Sequence, residues 1–123
     1  MPESSVKVLV LDDEESIRQS IAAYLEDEGI LVFQASSGEE AIDIVSNTPI
    51  EAAVVDIRLP GMDGNSFMVK AGQIRPGIRF VVHTGSADYI LPESVMAIGV
   101  GPENVFIKPV HDLRILMEAL KLT

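Results

Sequence analysis

Five short apolar runs, each followed by a segment of helical character, constrain the fold of this chain more than any other feature. Because the runs are apolar at nearly every position, they are typical of strands in a parallel sheet that is covered on both faces. Between the runs, apolar residues recur every three or four positions, as they do along one side of an amphipathic helix. The predicted strands comprise residues 6–11, 30–35, 52–57, 78–82 and 105–107. The sequence therefore predicts an α/β fold with helices on both sides of a parallel sheet.

Local signals predict several helix ends. Gly29 stands where the first helix should end, since glycine tolerates the left-handed conformation of a C-terminal cap. Ser37 and Glu40 have the spacing of a capping box, which predicts the start of the second helix. Pro92 would break a helix that began earlier, so we expect the fourth helix to run from near Pro92 to near Gly99.

Length and charge limit the classes of function. The 123 residues predict one domain spanning residues 1–123, with a core of about residues 6–121 and no output domain. The formal net charge of -10 disfavours direct binding of nucleic acid or of an anionic membrane, and it favours divalent cations. The sequence has no cysteine, no signal-peptide pattern at its start and no apolar run of the roughly 20 residues that a membrane helix needs. We therefore expect a cytoplasmic protein that does not enter a membrane.

Polar side chains follow the predicted strands, where ligands of an open parallel sheet bind. Asp12 and Asp13 follow the first strand, Asp56 ends the third, Thr84 follows the fourth and Lys108 follows the fifth. We expect these groups to converge on one edge of the sheet. Clustered carboxylates attract a hard cation, and oxygen ligands suit Mg²⁺, with Mn²⁺ as an alternative. An aspartate can also attack phosphorus, and an ammonium and a hydroxyl would then stabilise the transferred group.

Each of these elements has an ordinary explanation when it is taken alone. Acids after a strand commonly begin the next helix, a Thr-Gly pair is commonly a turn, and most lysines are solvated. Asp56 is the exception, because an unpaired carboxylate at the end of a buried strand would be costly. The combination on successive strand ends is therefore what points to phosphoryl chemistry.

Four stretches, VLVLDDEESIR, VVDIRLPGMDG, HTGS and VFIKPV, resemble the receiver domain of two-component response regulators. The resemblance extends over nearly the whole chain, from about Val6 to Leu120. It implies a flavodoxin-like, doubly wound (βα)5 fold with a central five-stranded parallel sheet. It also implies a module that assists its own phosphorylation and dephosphorylation, and is not an enzyme with turnover on a separate substrate.

The resemblance implies a role for each matching position. Asp56 would accept the phosphoryl group, and Mg²⁺ would be held by Asp12, Asp13, Asp56 and the backbone carbonyl of Arg58. Thr84 would be the switch hydroxyl, and Lys108 would pair with the phosphoryl group. The loops that shape the site would contain Pro60, Gly61, Gly64, Gly85 and Pro109.

The resemblance also implies partners. A histidine kinase or a histidine phosphotransfer protein would donate the phosphoryl group. The modified domain would then control a downstream effector or an output domain that this chain does not include.

The chain departs from the family pattern at the switch aromatic. The family usually has Tyr or Phe three residues before its lysine, whereas this sequence has Val105 there and Phe106 beside it. Either Phe106 serves as the switch by a shift of register, or the aromatic part of the switch is missing, and we favour the second interpretation. The segment from Thr84 to Lys108 is also about two residues longer than usual, which puts a standard dimerisation surface on the fourth helix and fifth strand in doubt.

Three other functions are alternatives for a chain of this pattern. An aspartate-based phosphohydrolase would need a second acid two residues after its nucleophile, where this sequence has Arg58. A flavodoxin-like cofactor binder would need a phosphate-binding loop rich in Ser, Thr and Gly after the first strand, and this sequence has none there. A degenerate receiver, acting as a phosphorylation-independent interaction platform, stays open as the main alternative.

Overall fold

A computed structural model describes residues 6–122, in which five parallel strands form one sheet. The strand order is β2-β1-β3-β4-β5, and every neighbouring pair is parallel. The strands are β1 (Lys7–Leu11), β2 (Leu31–Ala35), β3 (Ala52–Val55), β4 (Arg79–Thr84) and β5 (Val105–Ile107).

The helices alternate with the strands along the chain. They are α1 (Glu15–Asp27), α2 (Gly38–Asn47), α3 (Gly64–Ile74), α4 (Glu93–Met96) and α5 (Arg114–Ala119), with a short 3₁₀ turn at Pro102–Asn104. No helix within residues 6–122 is long and apolar enough to cross a membrane.

The apolar core lies in two layers, one on each side of the sheet. Leu9 and Leu11 of β1 pack with buried residues of α2, α3 and α4, whereas Val8 and Val10 pack with buried residues of α1 and α5. Successive side chains of a strand point to opposite faces, so a strand buried on both faces must be apolar throughout. This arrangement confirms the predicted doubly wound fold.

The helix ends follow their sequence signals closely. The hydroxyl of Ser37 accepts a hydrogen bond from the backbone N–H of Glu40, and the Glu40 carboxylate accepts one from the N–H of Ser36. The reciprocal bond of the capping box therefore lies one residue earlier than predicted.

Helix α4 begins directly after Pro92, as predicted. It ends at Met96, three residues before Gly99, because the N–H of Ile98 donates to the carbonyl of Val95, only three residues back. Gly99 has a φ of +101°.

Two strand ends differ from the prediction. Strand β3 ends at Val55 instead of Ile57, because the chain leaves the sheet at Asp56 to form the loop that leads into α3. Strand β4 continues to Thr84 instead of ending at Val82, because the N–H of Lys108 donates to the carbonyl of Thr84 and extends the ladder with β5.

Candidate functional site

Three aspartates meet at the carboxyl ends of β1 and β3, which are neighbours in the sheet. Asp12, Asp13 and Asp56 each offer a carboxylate oxygen, and these oxygens lie within 4.8 Å of one another. Asp12 and Asp56 are only 2% and 5% exposed, whereas Asp13 is exposed. The N–H of Asp56 donates to the carbonyl of Leu11 at 2.9 Å, so the two strand ends hold each other in place.

Lys108, from the loop after β5, brings the opposite charge to this cluster. Its Nζ lies 2.9 Å from Asp12 Oδ2, 3.4 Å from Asp56 Oδ2 and 3.5 Å from Glu14 Oε1. The peptide bond between Lys108 and Pro109 is cis. Glu14 directly follows the acidic pair in the sequence, and its carboxylate lies at the same edge of the sheet, although no ligand role was predicted for it.

The electrostatics of the cluster favour a cation. Burial, and then the charge of Asp12, raise the pKa of Asp56 to about 6, although Lys108 acts in the opposite direction. Burial alone would lower the pKa of Lys108, but its hydrogen bond with Asp12 and the nearby carboxylates raise it. Because one ammonium does not offset the cost of ionising Asp56, a divalent cation would be bound favourably. The purely oxygen donor set fits Mg²⁺.

An open cleft of about 540 Å³ gives access to the cluster. Its walls include Asp13, Asp56, Arg58, Gly85, Ser86 and Lys108. Thr84 lies behind this wall, where it is fully buried and its Oγ1 accepts a hydrogen bond from the N–H of Ser86 at 3.1 Å. The structure therefore brings the three aspartates and Lys108 together, and it holds the hydroxyl of Thr84 back from the cleft.

The loop after β3 is held from two sides. Gly64 packs against the carbonyl of Asp56 so closely that a Cβ would clash there, and Gly61 has a φ of +74°, which favours glycine. A carboxylate oxygen of Glu39 in α2 accepts a hydrogen bond from the N–H of Met62 at 3.1 Å. Pro60 is exposed between these contacts. No local sequence signal points to Glu39, because it lies 23 residues away from its partner.

Phe106 lies on the other side of the sheet from the position that the family pattern assigns to the switch aromatic. Val105 is paired with Val82 and packs into the layer of α2, α3 and α4. Phe106 is paired with His83 and packs into the layer of α1 and α5. Since Thr84 lies on the same face as Val82, the structure does not bring Phe106 and Thr84 together.

His83 is a buried neighbour of the site. It is 4% exposed, and neither ring nitrogen has a hydrogen-bond partner among the described residues. Burial, and then the charge of Lys108, lower its pKa to about 4. The imidazole is therefore neutral at pH 7.

Comparison with known proteins agrees with this geometry. The profile of the response regulator receiver domain matches residues 8–121. The chain belongs to this family. It is 31% identical to the transcriptional regulatory protein AruR of Pseudomonas aeruginosa, over 94% of this chain and 48% of AruR.

Solved receiver domains share the fold. A CheY-like receiver domain protein of Methanospirillum hungatei has a TM-score of 0.85 and 31% identity, covering 96% of this chain and 92% of that one. A response regulator of Burkholderia pseudomallei, solved with a phosphorylated aspartic acid, calcium and citrate, has a TM-score of 0.83 and 28% identity, covering 94% of this chain and 66% of that one. The receiver spans 30%, 48% and 24% of the lengths of three of its curated relatives.

Proposed function

We propose that this receiver domain accepts a phosphoryl group on Asp56, from a histidine kinase or a histidine phosphotransfer protein. The observation that carries the proposal is the position of the Asp56 carboxylate, which faces an open cleft between two further aspartates and Lys108. The Burkholderia pseudomallei relative, which contains a phosphorylated aspartic acid and a calcium ion, supports both the acceptor and the need for a divalent cation.

The transfer is a substitution at phosphorus. An oxygen of the Asp56 carboxylate forms a bond to the phosphorus, and the bond from phosphorus to the donor's histidine nitrogen breaks. The donor's ring carries a proton on its other nitrogen, so the nitrogen that keeps the electron pair of the broken bond leaves as part of a neutral imidazole. Lys108 Nζ, already 3.4 Å from Asp56 Oδ2, stabilises the negative charge that enters the site.

Mg²⁺, held by Asp12, Asp13, Asp56 and the carbonyl of Arg58, would neutralise charge on the phosphoryl oxygens. The remaining contacts to the phosphoryl group come from side chains of the domain itself. Thr84 and Lys108 then bind the phosphoryl oxygens, and the β4–α4–β5 side changes its conformation to control a downstream effector or an output domain. The names of relatives such as AruR, a transcriptional regulatory protein, support an output of that kind.

The test is the intact mass of the protein after incubation with acetyl phosphate and Mg²⁺. We expect one added phosphoryl group on the wild type, and none without Mg²⁺ or on Asp56→Asn. Asp43→Asn, which removes an exposed carboxylate of α2 outside the site, is the matched control and should still be modified. If neither acetyl phosphate nor a phosphorylated phosphotransfer protein modifies the wild type, the proposal fails and the interaction-platform alternative takes its place.

A further inference from the structure

Tyr89, in the loop between β4 and α4, connects two parts of the molecule. Its ring is half-buried against the core layer of α2, α3 and α4, and its hydroxyl donates a hydrogen bond to Oδ1 of Asn65 in α3. Burial, and then the charge of Asp63, raise the pKa of Tyr89, so the hydroxyl keeps its proton at neutral pH and remains a donor.

Two further hydrogen bonds link Tyr89 to the switch hydroxyl. The N–H of Tyr89 donates to the carbonyl of Ser86 at 3.2 Å, and the N–H of Ser86 donates to Thr84 Oγ1 at 3.1 Å. When the hydroxyl of Thr84 turns towards a phosphoryl group in the cleft, it must give up the N–H of Ser86. A movement of the Thr84 hydroxyl is therefore passed through Ser86 to the backbone of Tyr89.

The other end of the connection is fixed close to the phosphoacceptor. Asn65 follows Gly64, whose N–H donates to the carbonyl of Ile57 at 2.9 Å and whose Cα lies against the carbonyl of Asp56. The bond between Tyr89 and Asn65 thus holds the loop after β4 at a fixed position relative to Asp56.

We infer that Tyr89 is a positioning residue, which holds Thr84 away from the cleft before phosphorylation and releases Asn65 when Asp56 is phosphorylated. Tyr89 then serves as the aromatic side chain that moves on phosphorylation. In the family that role usually belongs to the position that Val105 occupies here. This inference rests on the proposed function. Ile90 follows Tyr89 and is 83% exposed, so movement of Tyr89 also displaces an apolar side chain that a partner can contact.

The first test compares rates of phosphorylation by acetyl phosphate with Mg²⁺. Tyr89→Phe removes only the hydroxyl, and Asn65→Ala removes its acceptor. If the bond exists only in the resting state, its loss raises the population of the competent arrangement, and each variant should react about two- to tenfold faster. The double variant should gain no more than either single one, because both remove the same bond.

A merely structural defect would not accelerate the reaction, so the direction of the change separates the two roles. Tyr24→Phe, on α1 and the opposite face of the sheet, is the matched control and should react at the wild-type rate. If the wild type is phosphorylated but Tyr89→Phe reacts at the same rate or more slowly, the inference is overturned and the proposed function stands. If the wild type takes no phosphoryl group from acetyl phosphate or from a phosphorylated phosphotransfer protein, the proposed function itself fails, and the inference with it.

The second test reads Tyr89 directly. The protein has no tryptophan and two tyrosines, so Tyr24→Phe leaves Tyr89 as its only strongly fluorescent side chain. Phosphorylation should change the tyrosine emission of this variant, and a further Asp56→Asn substitution should abolish the change. Full phosphorylation without any change in emission contradicts a movement of Tyr89.

Discussion

At the scale of single residues, Asp56 lies where the fold penalises its charged form. The residue is 5% exposed, its carboxylate faces a second buried carboxylate, and its pKa is about 6 instead of 3.8. A group whose folded pKa exceeds its unfolded pKa disfavours folding wherever it is ionised in both states. The buried Asp56 carboxylate therefore reduces the stability of the metal-free domain.

Replacing Asp56 with Asn should stabilise the metal-free protein at pH 7. The carboxylate is protonated in both states below about pH 4, so the gain should be absent there, grow between about pH 4 and pH 6, and remain above pH 6. We expect about 1 to 3 kcal/mol at pH 7, measured by urea unfolding in EDTA. Asp43→Asn should change the free energy of unfolding by less than about 0.5 kcal/mol, both below about pH 4 and at pH 7. A destabilised Asp56→Asn variant at pH 7 would contradict the interpretation.

The sequence predicted the positions of the charged residues at the strand ends better than it predicted the packing around them. Asp12, Asp56 and Lys108 could be located because each directly follows an apolar run, and parallel strands end at one edge. Glu39 could not, because its contact depends on how α2 packs beside the loop after β3. The side of the sheet that Phe106 faces depends on strand register, because a shift of one residue moves every side chain of a strand to the opposite face.

At the scale of elements, the start of α3 packs directly against Asp56, the proposed phosphoacceptor. A Cβ on Gly64 would clash with the carbonyl of Asp56 and approach the Cα of Ile57 to 2.9 Å. Both neighbours are backbone and cannot move aside without displacing the strand end. The helix signals in the sequence did not reveal this contact, because a glycine at the start of a helix is also a common loop residue.

Gly64→Ala should therefore destabilise the domain by about 1 to 3 kcal/mol, as overpacking typically does, and slow phosphorylation of Asp56. Gly85→Ala is the matched control for stability, since a Cβ at Gly85 would have no heavy atom within 4 Å. Its free energy of unfolding, measured in urea, should stay within about 0.5 kcal/mol of the wild-type value. Equal effects of the two substitutions on unfolding would show that the close approach at Gly64 is unimportant.

At the scale of the whole molecule, the alternation of apolar runs and helical segments predicted the fold class, and the structure confirms it. The runs could be recognised because strands buried on both faces are apolar throughout. The strand order β2-β1-β3-β4-β5 could not be read from that pattern, because every order of five such strands buries similar surfaces.

The net charge of -10 would attract Mg²⁺ to the whole molecular surface as well as to the proposed site. Mg²⁺ that binds the folded state alone should raise the free energy of unfolding by about 3 kcal/mol at a concentration a hundredfold above its Kd. General screening of the negative charge is a separate effect, which NaCl at the same ionic strength reproduces.

The variant Asp13→Asn separates site binding from screening, because Asp13 is exposed and its loss removes a proposed ligand without opening the core. In thermal unfolding, we expect Mg²⁺ to raise the Tm of the wild type well beyond the NaCl control, and to raise that of Asp13→Asn no more than NaCl does. An equal response of both proteins to Mg²⁺ would mean that the cation binds the acidic surface diffusely, and that the three aspartates do not form the metal site.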